Sequence, residues 1–240
     1  APSISYPKVH QIYGGKTLIY YRDEGHLGYW QYRISEDHGE TWETRDQPLV
    51  DMSAPPHDAT HASHAGSYHT TRVSADGKTL HVAFVWKMEN ELPNTRYAQT
   101  LHDHTRRHNL YYLKLNLPSG KAYNFEGREL TLPVNKGQAD HHCLIWDTQE
   151  RVASVGPSIG LDQKGNPVML LPVSEHTPYA CKFYLLRREN NKWTKTSITK
   201  TSHPFNSSHL RHNADGSLQA WLISGHGESI AEDDMNRYGW

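Results

Sequence analysis

Short apolar runs separated by polar turns dominate the hydrophobic pattern of this chain. "KTLIYYR", "TLHVAFVW", "LYYLKL", "PVMLLPV", "KFYLLRR" and "LQAWLIS" are each a few residues long, rich in β-branched and aromatic side chains, and bounded by Gly, Asn, Asp or Pro. Such runs predict β-strands. No window carries a sustained helical period. Between paired runs lie "YGGK", "ADGK", "QKGN" and "NADG", whose residues reach the positive φ of tight turns at little cost, so the strands are expected to pair as antiparallel hairpins. The fold class is all-β.

The pattern also repeats. "SYPKVHQIYGGKTLIYY" from Ser5 aligns without gaps on "SYHTTRVSADGKTLHVA" from Ser67, sharing Ser-Tyr at the start and Gly-Lys-Thr-Leu after the turn. Weaker copies begin at Gly156, "GPSIGLDQKGNPVMLL", and at Ser207, "SSHLRHNADGSLQAWL". Irregular strand-rich repeats of this kind point to propeller blades of about 40 to 50 residues each, with a β-sandwich as the alternative. A fifth repeat around "HNLYYLKL" would bring the count to about five.

Composition changes this picture little. With 240 residues, 36% of them hydrophobic, the chain can bury a sizeable core. Its 25 basic and 26 acidic side chains give a net charge of -1, no general reason to expect nucleic acid or an anionic membrane as partner. No apolar run approaches the length of a membrane span. The two cysteines, Cys143 and Cys181, make no disulfide scaffold, and whether they are bonded stays open. Eighteen histidines cluster in "HDATHASHAGSYH", "LHDHTRRH" and "ADHHC". In the last cluster His141, His142 and Cys143 beside Asp140 form half of a structural zinc or calcium site, the remaining ligands coming from elsewhere.

"SEDHGETW", Ser35 to Trp42, has the spacing Ser-x-Asp-x-Gly-x-Thr-Trp. It resembles the Asp box of sialidase-like and BNR-repeat propellers, a turn between the third and fourth strands of a blade. That resemblance gives Asp37, Gly39 and Trp42 structural work: carboxylate bonds to turn amides, a permitted bend, and packing. A degenerate relative lies at "RRENNKWTK".

Together with "ISYPKVHQIYGGKTLIYYRDEG" and "RRHNLYYLKLNLPSGKAYNFEGRELTLPVN", this motif makes the chain similar to the BNR-4 group of propellers, which includes the ulvan lyases of polysaccharide lyase families 24 and 25. The resemblance implies a seven-bladed propeller with substrate in a canyon on one face. Residues 1–240 would then be one portion of that domain, with about two blades, and the paired catalytic histidines, supplied upstream by a companion segment or chain. It further implies a secreted or periplasmic protein that acts on an anionic polysaccharide and needs no cofactor for catalysis.

Two residues carry the expected chemistry. Tyr6 lies eight residues before Gly14 and Arg22 seven after Gly15, so a hairpin turning at that Gly pair sets them almost opposite each other. Tyr6 and Arg22 also match the Tyr and Arg that the resemblance assigns to the lyase active site. Arg would neutralise a uronate carboxylate through two parallel hydrogen bonds, and Tyr would act as base, acid, or both. The bland alternatives are a core aromatic and a surface ion pair with Asp23 or Glu24. His26, Tyr68, His69, Arg72 and His209 are further candidates for substrate contact, Tyr68 and Arg72 sharing one face of a strand by alternation. A non-catalytic glycan-binding propeller and a sialidase-like hydrolase are the competing functions; the latter needs an arginine cluster and a Tyr-Glu pair, a constellation not visible in the sequence.

Overall fold

In the computed structural model, residues 4–25, 28–53, 65–89, 105–149, 151–154, 156–175, 180–189, 192–201, 204–213, 215 and 217–224 are described. The chain is all-β, as its pattern predicts. Among the described residues four sheets follow one another along it. The first holds β1 (Ser5–Gln11), β2 (Thr17–Arg22) and β3 (Trp30–Ser35) in that order. The second runs β4 (Ala65–Val73), β5 (Thr79–Glu89), β6 (Thr105–Asn116), β7 (Lys121–Tyr123) and β8 (Glu129–Leu130), with β9 (Leu144–Trp146) pairing β6. The third holds β10 (Ser158–Leu161), β11 (Pro167–Ser174), β12 (Cys181–Glu189) and β13 (Lys192–Thr201) in sequence order. The fourth is the pair β14 (Ser208–His212) and β15 (Leu218–Leu222).

Each repeat seen in the sequence opens one of these sheets. The segment His108 to Leu115, expected as a fifth repeat, instead lies within β6, the third strand of the second sheet. A strand buried on both faces reads as one apolar run wherever it stands in a blade, and Leu110 to Leu113 are all buried.

The turns show why these strands end where they do. In three hairpins an Asp carboxylate accepts the amide two residues on: Asp76 from Lys78 (3.0 Å), Asp162 from Lys164 (2.9 Å) and Asp215 from Ser217 (2.9 Å). This Asx turn replaces the ladder at the point where the chain reverses. Gly77 sits at φ +71°, and a Cβ there would meet the Tyr13 backbone nitrogen at 2.5 Å. Glycine is required twice over, because the Tyr13 amide donates to the Gly77 carbonyl (3.1 Å).

The segment that follows Ser35 forms a hydrogen-bonded turn after β3. Ser35 Oγ donates to Asp37 (2.7 Å) and accepts the Gly39 amide (2.7 Å), while Asp37 accepts the Thr41 amide (2.8 Å) and the Thr41 hydroxyl (2.5 Å). These bonds, led by the Thr41 hydroxyl, hold the Asp37 carboxyl well below the usual carboxylate range. Gly39 has φ +102° and lies against the Trp42 ring. The "RRENNKWTK" relative spans the β12–β13 hairpin, with Asn190 and Asn191 outside the described residues.

The chain divides into two compact units: Ala1–Ser67, Val73–Val82 and Tyr112–Leu144, and Tyr68–Arg72, Ala83–Tyr111 and Ile145–Trp240. In the first, Leu18, Tyr20, Trp30, Tyr32, Leu49 and Val50 are buried. In the second, Val168, Leu170, Phe183 and Leu210 form one core cluster, against which Leu185, Leu218 and Leu222 pack. Among the described residues no helix is long and apolar enough to cross a membrane.

Candidate functional site

In the first unit, β1 pairs β2 in a register that sets Ser5 opposite Arg22 and Lys8 opposite Tyr20. Tyr6 and Pro7 therefore both face Tyr21, a β-bulge. Its cause is local: Pro7 has no N–H to give the ladder, and Tyr6 takes φ +54°, a left-handed conformation costly for a bulky residue. The bulge turns the Tyr6 ring outward, 49% exposed, at the end of the hairpin.

Arg22 comes back over that ring. Its guanidinium carbon lies 4.8 Å from the Tyr6 centroid, and its Nε donates to Ser5 Oγ (3.1 Å). Spacing about the Gly pair thus brought the two side chains together, with Ser5 as an anchor the sequence reading did not name. Arg22 is only 3% exposed, unlike a surface ion-pair residue. Asp23, the expected rival partner, accepts from Gln31 Nε2 (2.6 Å) and from the Glu24 amide (2.9 Å).

Two more residues belong to this cluster. Trp30, fully buried, stacks on Tyr20 (5.4 Å), lies 6.3 Å from the Tyr6 ring, and donates its indole N–H to the Ser67 carbonyl (2.9 Å). Lys8 places its Nζ 5.3 Å from the Trp30 centroid, and burial pushes its pKa down to about 8. A phenol, a permanent cation and a titratable cation therefore share one aromatic floor. The alternation Tyr6, Lys8 along β1 was the available signal for Lys8, and the aromatic opening β3 was the signal for Trp30.

In the second unit, Tyr68 occupies the same repeat position as Tyr6 but lies in β4 without a left-handed φ, 6% exposed. Lys87 Nζ lies 5.1 Å from its ring centroid and the Arg107 guanidinium 4.9 Å, Arg107 also facing Phe205 at 4.2 Å. Both cations are buried, Lys87 completely. Neither was singled out from the sequence, although a Lys or Arg inside an apolar strand run was the signal to follow. His69 is buried on the opposite face, stacked on Phe84 (4.7 Å). Arg72 is exposed at the far end of β4; burial and, secondarily, Arg72 hold the His212 imidazole below its ordinary pKa. His209 is exposed on β14, opposite Trp221. His26 lies outside the described residues.

The "ADHHC" segment is a π-helical turn, Ala139–Cys143, following the short helix Lys136–Gln138, which Asn135 caps. Asp140 is paired with Lys136, the His142 carbonyl accepts from Asn124, and the His141 and His142 ring centroids are 6.1 Å apart. Cys143 is buried, which pushes its thiol up to about 12. Among the described residues no three His, Cys, Asp or Glu side chains gather to hold a metal. Cys143 and Cys181 are not joined in a disulfide.

With this geometry in hand, the model of the BNR repeat-containing family matches residues 1–201. The chain belongs to the BNR repeat-containing family. Among curated BNR relatives, the ulvan lyase of Alteromonas sp. (strain LOR) is 25% identical over 175 residues, covering 69% of this chain and 33% of its own length. The PL25 ulvan lyase of Pseudoalteromonas sp. (strain PLSV) is 26% identical over 168 residues, covering 69% and 32%. The chain thus spans about a third of the length of these relatives. A solved PL25 ulvan lyase bound to -[GlcA(1-4)Rha3S]- superposes with TM-score 0.71 at 19% identity, covering 96% of this chain and 55% of that one. The Trypanosoma rangeli sialidase in complex with the inhibitor DANA superposes with TM-score 0.53 at 17% identity, covering 94% and 35%. These likenesses show a propeller-type fold.

Proposed function

We propose that the protein containing this chain is a polysaccharide lyase that cleaves a sulfated, uronate-containing polymer of the ulvan kind by β-elimination. The observation that carries the reading is the Arg22 guanidinium over the outward-turned Tyr6 ring. The curated relatives named ulvan lyases support the substrate class.

The chemistry follows from the two groups. The proton at C5 of a uronate is too weakly acidic to leave until the adjacent carboxylate is neutralised. Arg22, permanently charged and bonded to Ser5 through its Nε, binds that carboxylate. A base then takes the C5 proton, the electron pair forms the C4–C5 double bond, and the C4–O bond breaks toward the leaving sugar, whose oxygen receives a proton. Tyr6 serves as base, acid or both, and an imidazole from the companion segment shares the work. The exposed Arg72 and His209 provide further contacts for an anionic polymer. A polymer substrate implies action outside the cytoplasm.

The test is an ultraviolet assay of the full-length protein on ulvan, with glycosaminoglycans for comparison. Rising absorbance from an unsaturated uronate is expected. No rise, with ulvan still retained in a pull-down, would replace the lyase with a non-catalytic glycan-binding propeller; reducing ends without unsaturation would indicate a hydrolase.

A further inference from the structure

Lys195 of the third sheet joins a charge arrangement that the elimination does not use. Trp146 closes β9, is 7% exposed, and meets the Tyr184 ring edge-on at 5.0 Å. Two cations lie over this one indole: Lys195 Nζ at 4.2 Å and the Arg151 guanidinium at 5.2 Å from the ring centroid. Indole faces attract cations, but two on one ring repel each other. Burial and then Arg151 lower the Lys195 pKa.

Among the described residues no carboxylate pairs with either cation. Glu175, beside Tyr184, is already occupied, accepting from Lys182 Nζ (2.7 Å) and from the Tyr184 hydroxyl. Strand β13, "KWTKTSITKT", carries three lysines and no acid. Lysine on an edge strand ordinarily deters pairing with another chain, and that suffices for Lys192 and Lys200. It does not explain why Lys195 is set against a buried tryptophan beside an arginine. Arg151 also bonds the Tyr184 side chain, which fixes its planar guanidinium beside the Lys195 point charge, two cationic groups of the kind that together hold an oxyanion.

We propose that Arg151 and Lys195, set on Trp146, form an oxyanion-binding subsite that takes a sulfate ester or carboxylate of an anionic polysaccharide. The identity of that polymer rests on the reading above; the subsite does not.

The test compares binding of dextran sulfate and neutral dextran by the full-length protein at fixed ionic strength. Wild type should bind dextran sulfate more tightly than dextran. Lys195→Gln and Arg151→Gln should each weaken dextran sulfate binding about tenfold, the size of one lost charge-assisted hydrogen bond, while Lys195→Arg restores it. Wild-type dextran sulfate affinity in Lys195→Gln, whose side chain is exposed and whose thermal melt reports its folding, would overturn the subsite. So would equal binding of dextran and dextran sulfate by wild type. Loss of dextran sulfate binding in variants of a protein that yields no unsaturated product would leave the subsite standing and remove the lyase reading.

Discussion

Tyr6 and Tyr68 hold the same place in two copies of one repeat, and each has cations over its ring, yet they end in opposite environments. Tyr6 is half exposed beneath Arg22; Tyr68 is buried between Lys87 and Arg107. The sequences differ at the next position, Pro7 against His69. A proline that cannot donate to the ladder forces a bulge and turns the first phenol out, whereas in the second strand, where His69 keeps its amide, the phenol is buried. One imino acid thus separates a ring placed to meet a ligand from a ring placed to hold a strand.

The largest expected effect breaks the comparison at the phenols themselves. Tyr6→Phe should lower elimination on ulvan by roughly 10²- to 10⁴-fold, the worth of a positioned acid or base, with binding largely kept, while Tyr68→Phe leaves the rate little changed. Near-full activity in Tyr6→Phe would remove Tyr6 from the chemistry. Next, Arg22→Lys retains charge but loses the fork, so rate and polymer affinity should each fall by about tenfold or more; steady-state kinetics with a binding isotherm separate the two.

The bulge itself can be exchanged. Pro7→His, copying the second repeat, gives β1 an amide for the ladder and lets Tyr6 relax from its left-handed conformation. Stability should rise by about 1 kcal/mol and activity should drop, read as a higher Tm with a slower rate. A variant equally active and no more stable would mean that something other than Pro7 holds the bulge.

Two smaller effects concern titration. His81, buried, is within 2.7 Å of the Tyr112 hydroxyl, and burial lowers its pKa to about 4. The unfolded chain binds the proton first, so stability should fall as pH drops from about 6.5 to about 4, by at most about 3 kcal/mol. Denaturant melts of His81→Gln across that window should show a flatter pH dependence. Lys8 has a consequence of the same sign at high pH: with its folded pKa near 8, its cost to stability is fully present at neutral pH and fades between about 8 and 10.5. Lys8→Met should raise Tm slightly at pH 7, with the gain shrinking above pH 10.

Much of the fold was legible because its signals are local. The turn residues of the Gly14–Gly15 and Asp76–Gly77 hairpins mark where strands end, and the four repeat starts coincide with the four sheets. Tyr6 and Arg22 were legible as a pair for the same reason: a hairpin turn sets register within a few residues. The bulge was less so, since its shift of one residue depends on how the ladder accommodates Pro7.

Lys87, Arg107 and Phe205 are separated by up to 118 positions, taking Phe205 minus Lys87, and no local pattern joins them around Tyr68. The same holds for Arg151 and Lys195 on Trp146. The segment His108 to Leu115 was misread as a new repeat because apolar alternation does not say which neighbours a strand will have. The sequence by itself determined strand, turn and repeat, since these depend on backbone preferences and apolar periods within a dozen residues. Only the tertiary structure decided which aromatic ring is turned outward and which cations converge on it, because burial and charge proximity are set by non-local packing.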